Sequence, residues 1–439
     1  MVGATPKEEE SRLSRKQKFL AVFLSTLVLF FGFIIVRVWA LKPSSTIKLA
    51  AIPAGEYDPA VWGQYYPLQY QSYLKSKETA PSPTGYNGSV NYQKSERQTE
   101  IFTNFKGNPF SKDYTEDRGH PYAVEDLMQS RRIGPTSKGA CITCKTPYVE
   151  QFYNEMGWGY ANKPLTELLE RSKHPVSCAN CHDPATMNLR VTQPAFVEAM
   201  ARKGVDVTKA SRQEMRSYVC GQCHSEYYFA PGTNQVIFPW DKGYTPQEMY
   251  DYYAAQPNGF AQDFIHPDSK TPVLKAQHPD YEEWLNGTHG KFGVSCADCH
   301  MPYMRSSGQK YTSHWVTSPL RTVQESCQPC HTQGADQLYN QVRATQDNTW
   351  QLQRTAGLTV ERAHNAISKA AAVTGANQTE LERARQLLRQ AQWYWDYVAA
   401  ANSQGFHNAV QELHTLGQSI DLANQAINAA NRAAGSNTL

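Results

Sequence analysis

All ten cysteines of this chain occur in five pairs with the spacing C-x-x-C. A histidine follows the second cysteine in four of the pairs, and Lys145 follows it in the first. C-x-x-C-H is the attachment motif of c-type haem, in which both thiols form thioethers with the porphyrin and the histidine becomes the proximal ligand of the iron. The sequence therefore predicts five covalently bound haem c groups. Their attachment residues are Cys141, Cys144 and Lys145; Cys178, Cys181 and His182; Cys220, Cys223 and His224; Cys296, Cys299 and His300; and Cys327, Cys330 and His331.

Two other uses of paired cysteines fit this pattern less well. Structural zinc is also bound by C-x-x-C pairs, but zinc does not need a histidine in the next position. Histidine is 13 of 439 residues, so four such histidines after five pairs would be a rare coincidence. Disulfide scaffolds are typical of small secreted domains. The pattern therefore favours haem attachment.

The composition is that of a chain that packs around cofactors. Hydrophobic residues are 40% of the sequence and the mean hydropathy is −0.59, which is polar for a chain long enough to bury a core. Porphyrin faces would supply apolar surface, and the 25 Tyr, 16 Phe and 9 Trp can pack against flat rings. The formal charge of +3 would fall to near zero with haem propionates and ferric centres added. Nothing in the composition indicates nucleic-acid binding.

The N-terminal segment predicts export. The basic stretch RLSRKQK precedes an uncharged run of 18 residues from Phe19 to Val36. This length suits a membrane-spanning anchor better than the core of a signal peptide, and the basic side would stay in the cytoplasm. A cleaved signal is the alternative, because residues 38–40 (VWA) fit a small-x-small cleavage site. Both interpretations place the haem region in the periplasm, and the first anchors it to the cytoplasmic membrane.

The elements that hold the motifs are expected to be mainly α-helical. Residues 1–42 form the anchor or signal, and residues 43–335 form a pentahaem catalytic region. This region is rich in Pro and Gly and has no long alternating strand pattern, so we expect short helices and loops around five haems. The unequal motif spacing excludes a simple tandem array.

Residues 336–439 change to Ala, Gln, Leu, Asn and Arg, which predicts a long-helix region. Gly375 ends one helix, and Thr379 with Glu382 predicts a capping box for the next. Three long helices fit, near residues 337–373, 379–403 and 406–434. Their expected role is packing and dimerisation.

Lys145 distinguishes one haem from the other four. The chain has nine further histidines, enough to close the second axial position of four haems and make them low-spin electron carriers. A lysine amine must lose its proton before it binds iron. Lys145 could be incidental, with that haem finding its ligand elsewhere. One deviant motif among five, in a chain otherwise equipped for electron transfer, argues instead for the one haem that does chemistry.

With CITCK and four C-x-x-C-H motifs, the chain resembles the cytochrome c nitrite reductase family of pentahaem, ammonia-forming enzymes. The resemblance covers nearly everything after about residue 55. The further segments that carry it are DYTEDRGHPYAVEDL, RRIG, CGQCHSEYYF, LKAQHP, GTHGKFGVSCADCH, YTSHW and QGFHN.

This resemblance implies a distal histidine for each low-spin haem. His120 would serve the haem of the third motif (220–224), and His314 that of the second (178–182). His407 would serve the haem of the fourth motif (296–300), and His289 that of the fifth (327–331).

The resemblance also implies a catalytic set beside the Lys145 haem. Arg132 would hold an oxygen of the substrate, Tyr227 would donate a hydrogen bond, and His278 would deliver protons near neutral pH. Only eight residues separate Arg132 from Cys141, and Arg131 is adjacent, so either arginine could face the substrate.

One calcium ion is implied as well. Its ligands would be the Glu226 carboxylate, the carbonyls of Tyr227 and Lys275, and the Gln277 amide oxygen. Calcium prefers oxygen ligands, and here it would fix the backbone beside Tyr227 and His278.

The implied activity is the six-electron reduction of nitrite to ammonium. A homodimer and a membrane multihaem quinol dehydrogenase, or another cytochrome c, as electron donor are implied with it. Two alternatives stay open. One is a multihaem electron-transfer protein without a substrate, which gives Lys145 no purpose; the other is a related enzyme that transforms hydroxylamine or sulfite.

Overall fold

The computed structural model describes residues 14–40, 52–256 and 260–435. Across these residues the fold is mainly α-helical, which confirms the predicted class. Strands are limited, in the described part of the chain, to short antiparallel pairs. The chain divides into two compact units, Met1–Ala50 and Ala51–Leu439.

The first unit contains helix α1 over Arg15–Ala40. The predicted anchor, the run from Phe19 to Val36, lies in this helix, although the side chains of residues 35 and 36 are outside the described residues. Among the residues whose side chains are described, no helix is long and apolar enough to cross a membrane. The membrane anchor stays a prediction.

The second unit begins with short helices joined by loops and 3-10 turns, as expected for a chain that wraps cofactors. These helices are α2 Pro59–Tyr65, α3 Pro67–Lys75, α4 Ile101–Asn104, α5 Ala123–Gln129, α6 Tyr148–Met156, α7 Leu165–Arg171, α8 Pro194–Arg202, α9 Arg212–Gly221, α10 Pro246–Ala254, α11 Asp280–Asn286, α12 Thr288–Lys291, α13 Cys296–His300 and α14 Val323–Ser326. The strand pairs are β1 Tyr228–Phe229 with β2 Val236–Ile237, β3 Phe264–Ile265 with β4 Pro272–Val273, and β5 Tyr303–Ser306 with β6 Gln309–Thr312.

Helix α9 carries the first two residues of the third cysteine motif, Cys220 and Gly221. It begins at a capping box in which Ser211 and Glu214 bond each other's backbone N–H groups. It ends at Gly221, inside the motif, where an added Cβ would lie 2.5 Å from the Tyr281 ring. The missing side chain therefore lets α9 pack directly on α11, which follows His278.

Three long helices complete the unit and confirm the predicted helices of the C-terminal region. They are α15 Ala335–Ala371, α16 Gln378–Ala400 and α17 Ala409–Ala433. Gly375 lies between α15 and α16 with φ +79°, a left-handed conformation that suits a helix stop. Alanines at helical spacing, among them Ala363, Ala391 and Ala426, are fully buried in the core that the three helices share with α4 and α10.

The predicted capping box of α16 is wrong. The N-cap is Asn377, two residues before Thr379, and its side-chain oxygen accepts from the N–H groups of Thr379 (3.0 Å) and Glu380 (3.2 Å). Asparagine caps helices as well as threonine does, so the earlier residue begins the helix. The division of the chain near residue 335 stays a prediction.

Candidate active site

A cavity of about 2450 Å³ connects all five cysteine motifs. Every cysteine lines it as a free thiol. Cys144 lies against Cys223, and Cys220 lies against Cys296, so motifs far apart in sequence are neighbours in space. Unbridged thiol pairs around a large shared cavity fit thioether attachment of haem and do not fit a disulfide scaffold.

Each motif folds as a single turn. In the motifs that begin at residues 178, 220 and 327, the backbone N–H of the histidine donates to the carbonyl of the first cysteine, at 3.0, 2.9 and 3.0 Å. In the first motif the N–H of Lys145 donates to the carbonyl of Ile142 instead (2.9 Å). The fifth residue of every motif lines the same cavity as the two cysteines, where a proximal ligand must lie.

The structure brings together three of the four histidine pairs that the resemblance implies. The ring centres are 6.0 Å apart for His182 and His314, 6.4 Å for His300 and His407, and 6.2 Å for His331 and His289. An iron between two imidazoles, each bound at about 2 Å, would hold the ring centres roughly 6 Å apart. All six rings line the cavity, so these residues fit bis-histidine haem.

Backbone carbonyls orient three of these rings. Nδ1 of His182 lies 2.9 Å from the carbonyl of Met187, Nδ1 of His300 lies 3.0 Å from that of Thr317, and Nδ1 of His314 lies 2.9 Å from that of Thr312. Nδ1 must donate these bonds because a carbonyl only accepts. Nε2 is then left unprotonated toward the cavity, the form that binds iron.

His224, the remaining motif histidine, has two candidate partners. The resemblance implies His120, which lines the cavity close enough to His224 for their repulsion, with burial, to lower the pKa of His120 to about 4. The ring of His278 also lies 6.2 Å from that of His224. The structure therefore places two histidines beside one haem position, and a spectroscopic test separates them.

The other four histidines lie outside the cavity lining. Two of them use both ring nitrogens within the protein. His266 contacts the carbonyl of Thr103 and the N–H of Ser269, and His364 contacts the Ser269 hydroxyl and the Gln392 amide. His174 and His414 also do not line it. Nine histidines remain for the haems and the substrate.

Lys145 faces an acidic partner that the sequence analysis did not single out. Its Nζ lies 2.6 Å from Oδ2 of Asp117. Burial opposes the charge of the amine, but Asp117 outweighs it and raises the pKa of Lys145. Burial also opposes ionisation of Asp117, yet Lys145 lowers the pKa of that carboxyl to about 2. Lys145 must therefore give up a proton to bind iron, as ligands commonly do on metal binding.

The two neighbouring arginines have different surroundings. Arg132 lines the cavity, with its guanidinium 4.3 Å from the ring centre of Phe110 and its Nε 3.3 Å from the Ser130 hydroxyl. Arg131 does not line the cavity, and its guanidinium donates to the carbonyl of Lys112. Of the two, Arg132 is the one in position to meet a ligand in the cavity.

Tyr227 and His278 line the same cavity as Arg132 and Lys145. Burial raises the pKa of Tyr227, so the phenol stays protonated and can donate a hydrogen bond. Burial, followed by repulsion from His224, lowers the pKa of His278 to about 3. The expectation that His278 titrates near neutrality is not met, because the sequence could not reveal this burial. His278 is a neutral imidazole at pH 7, and its Nδ1 is buried without a hydrogen-bond partner.

The residues expected to bind calcium meet around one buried carboxylate. Glu226 is fully buried, and its oxygens accept from the N–H of Gln277 (2.6 Å) and the Tyr253 hydroxyl (3.0 Å). The Gln277 side chain in turn donates to the carbonyl of Lys275 (3.2 Å). The ammonium of Lys275 binds Asp396 at 2.9 Å, so its carbonyl and not its charge belongs to this cluster.

These residues fit a hard cation. Burial raises the pKa of Glu226 well above its usual range, so a carboxylate here needs a positive partner to stay ionised. In the described residues no group of three or more His, Cys, Asp or Glu could hold a metal. A cation at Glu226 would therefore depend on amide and carbonyl oxygens, which calcium accepts.

Free cysteine pairs, facing imidazoles and one large connecting cavity in a mainly helical chain define a multihaem c-type cytochrome. More particularly, the chain belongs to the cytochrome c552 family, whose model matches residues 58–439.

Known proteins of this kind are similar over most of their length. The chain is 40% identical over 402 residues to the cytochrome c nitrite reductase subunit NrfA of Nitratidesulfovibrio vulgaris, covering 83% of this chain and 76% of that protein. It is 39% identical over 369 residues to cytochrome c-552 of Bacteroides thetaiotaomicron, covering 82% and 74%. The solved catalytic subunit NrfA of the Desulfovibrio desulfuricans enzyme, described with two calcium sites, has a TM-score of 0.84 and 34% identity, covering 88% of this chain and 89% of that one.

Proposed function

We propose that this protein reduces nitrite to ammonium, a reaction of six electrons and eight protons, outside the cytoplasm. Its similarity to nitrite reductases over most of their length supports this function. The observation that carries it is the position of Lys145, which replaces histidine in one motif and shares the cavity with Arg132, Tyr227 and His278. An electron-transfer protein without a substrate is not favoured, because it would need none of these four residues.

The haems are best assigned as five covalent groups, four with two histidines and one with Lys145. When bound, they would supply single-electron transfer, and the haem held at Lys145 would supply the iron that binds and reduces nitrite. The ring pairs at 6.0 to 6.4 Å support the distal roles of His314, His407 and His289. His120 completes the set by resemblance and leaves His278 for the substrate.

The protein side chains prepare nitrite for N–O cleavage. Arg132 carries a permanent charge and can hold an oxygen of the anion as negative charge develops. The protonated Tyr227 hydroxyl donates a hydrogen bond to the same region. His278, neutral at pH 7, can donate its ring N–H and receive a proton in return, so it serves as a relay rather than a stored acid.

Calcium would sit at Glu226, Gln277 and the carbonyls of Tyr227 and Lys275. Because Gln277 lies between Lys275 and His278 in sequence, a cation there would hold the backbone that carries His278. Its charge would also favour entry of an anion.

The location, oligomeric state and electron donor of the enzyme are inferred from the same family likeness. We infer a periplasmic homodimer built through the long helices, with Phe19 to Val36 as its membrane anchor. A membrane multihaem quinol dehydrogenase, or another cytochrome c, would supply the electrons.

The direct test is a balance of products. Purified holoprotein is given nitrite and a reduced low-potential dye, and nitrite, ammonium and oxidised dye are measured together. One ammonium formed and six electrons consumed per nitrite is the expected result. Dye oxidation without ammonium, or no nitrite loss, would contradict the proposal.

A further inference from the structure

One buried carboxylate lies between histidines that belong to two different haem positions. Oδ2 of Asp280 is 3.6 Å from Nδ1 of His224, and Oδ1 is 3.8 Å from Nδ1 of His407. His224 belongs to the third cysteine motif, and His407 pairs with His300 of the fourth. Nδ1 of His407 has no hydrogen-bond partner, so Asp280 is the charged group that faces it.

Two N–H donors of one residue, Asn402, hold this carboxylate in place. The backbone N–H of Asn402 donates to Oδ1 of Asp280 (2.8 Å), and the Asn402 side-chain amide donates to Oδ2 (2.9 Å). The backbone N–H of Asp280 donates to the carbonyl of His278 (2.8 Å). Asp280 is only 6% exposed, so water does little to screen its charge.

The other oriented imidazoles of the cavity have neutral partners. His182, His300 and His314 each donate from Nδ1 to a backbone carbonyl. The haem of the second motif therefore has carbonyl partners behind both of its imidazoles. The haems of the third and fourth motifs each have one imidazole that faces Asp280.

We propose that Asp280 is a shared positioning residue that lowers the reduction potentials of the haems of the third and fourth motifs together. A carboxylate behind an iron-bound imidazole makes that ligand more basic and stabilises the ferric state. The two haems would then be stronger reductants than the haem of the second motif. This inference rests on the haem ligands assigned under the proposed function.

The test is a spectroscopic redox titration of the intact holoprotein without nitrite. Asp280→Asn keeps the shape of the side chain and removes its charge. The expected result is a rise in the midpoint potentials of two low-spin haems, with changed EPR g-values for those two, while the remaining haems keep theirs. Asp280→Glu should bring the two potentials back toward the wild-type values. Unchanged potentials, or an equal shift of all haems, would overturn the proposal.

Glu198→Gln is the matched control. Glu198 accepts hydrogen bonds from Trp158 and Gln235 and does not line the haem cavity. Its loss of charge should leave every potential unchanged, and a shift like that of Asp280→Asn would overturn the proposal by showing a general charge effect.

A second variant keeps the test decisive if Asp280→Asn fails to load haem. Asn402→Ala removes the side-chain donor but keeps the backbone N–H that holds the carboxylate, so the charge on Asp280 is less neutralised. The same two potentials should fall, and no change or a rise would overturn the proposal. None of these titrations uses nitrite, so a failure of nitrite reduction would count separately, against the proposed function.

Discussion

Arg132 faces the cavity that the cysteine motifs line, and its neighbour Arg131 does not. The two residues carry the same charge one position apart, so exchanging either one alters the net charge of the protein equally. Any difference between their variants must come from where the two side chains lie. The pair is therefore a built-in control for a substrate role.

Arg132→Gln should lower kcat/KM for nitrite by about 10²–10³-fold, because it removes a charged donor to the oxygens of the reacting anion. Arg131→Gln should stay close to the wild-type rate. Steady-state turnover with matched haem content measures both. Equal losses in the two variants would contradict the role of Arg132. A loss in Arg132→Gln accompanied by a changed haem potential would indicate instead that Arg132 pairs with a haem propionate.

His278→Asn and His120→Asn should separate the two candidate partners of His224. We expect His278→Asn to lower nitrite turnover by roughly 10²-fold while all low-spin EPR signals remain. His120→Asn should convert one low-spin haem to high-spin, because it removes an iron ligand. If His278→Asn is the variant that gains a high-spin haem, then His278 is the distal ligand of the haem of the third motif.

Glu226→Gln should weaken the calcium site, because it removes the one carboxylate assigned to it. Activity should fall by about 10–100-fold and be partly restored by excess calcium, since occupancy follows mass action. The haems, held by thioethers elsewhere, should remain. Elemental analysis and activity are measured before and after chelation; wild-type protein that holds no calcium and reduces nitrite fully would contradict the site.

Glu412→Gln should flatten the dependence of stability on pH. Burial raises the pKa of Glu412 to about 8, and it lies against Glu283, another buried carboxyl. The folded pKa of Glu412 is above its ordinary value. The contribution of Glu412 to the free energy of unfolding is therefore fully present below about pH 4.5 and is lost as pH rises through about 8. At pH 9 the free energy of unfolding of the variant should therefore exceed that of wild type by at least ~1 kcal/mol. At pH 5 the two values should differ little.

Thermal unfolding followed by circular dichroism across this pH range measures the effect. Glu382→Gln, on the exposed side of α16, is the control and should leave the pH profile of wild type unchanged. A Glu412→Gln profile parallel to that of wild type would show that the carboxyl does not change its protonation on unfolding.

The sequence predicted the long helices because their signals are local. Alanine-rich stretches and Gly375 depend only on neighbouring residues, and the observed helices agree with them. The predicted start of α16 at Thr379 was wrong, because Asn377, which is also a good cap, lies two residues earlier. Local preference alone could not decide which side chain would reach the free N–H groups.

The haem attachment residues could also be predicted from the sequence, because thioether chemistry fixes two cysteines and their neighbour within five positions. The distal partners were not. His300 and His407 are more than a hundred residues apart in sequence, yet their rings lie 6.4 Å apart. Only the fold brings them together, and before the structure only family resemblance named them.

Asp117 and Asp280 were missed for a related reason. Both stand inside or beside segments that the resemblance singled out, three residues before His120 and two after His278. An aspartate in a loop or at the start of a helix is usually solvated, and nothing in the sequence shows that Asp117 contacts Lys145 or that Asp280 is buried. The low pKa of His278 has the same origin, because burial is a property of the folded cavity.

EPR of the fully oxidised holoprotein, recorded before and after nitrite is added and repeated on Lys145→His, tests the catalytic role of the Lys145 haem most directly. We predict one high-spin ferric haem among low-spin haems in the wild type, converted by nitrite. In Lys145→His, haem content should be unchanged but the high-spin signal altered and turnover lower by at least about tenfold. A wild-type spectrum with low-spin haems alone, or a Lys145→His variant with the wild-type spectrum and rate, would contradict an open, lysine-ligated catalytic haem.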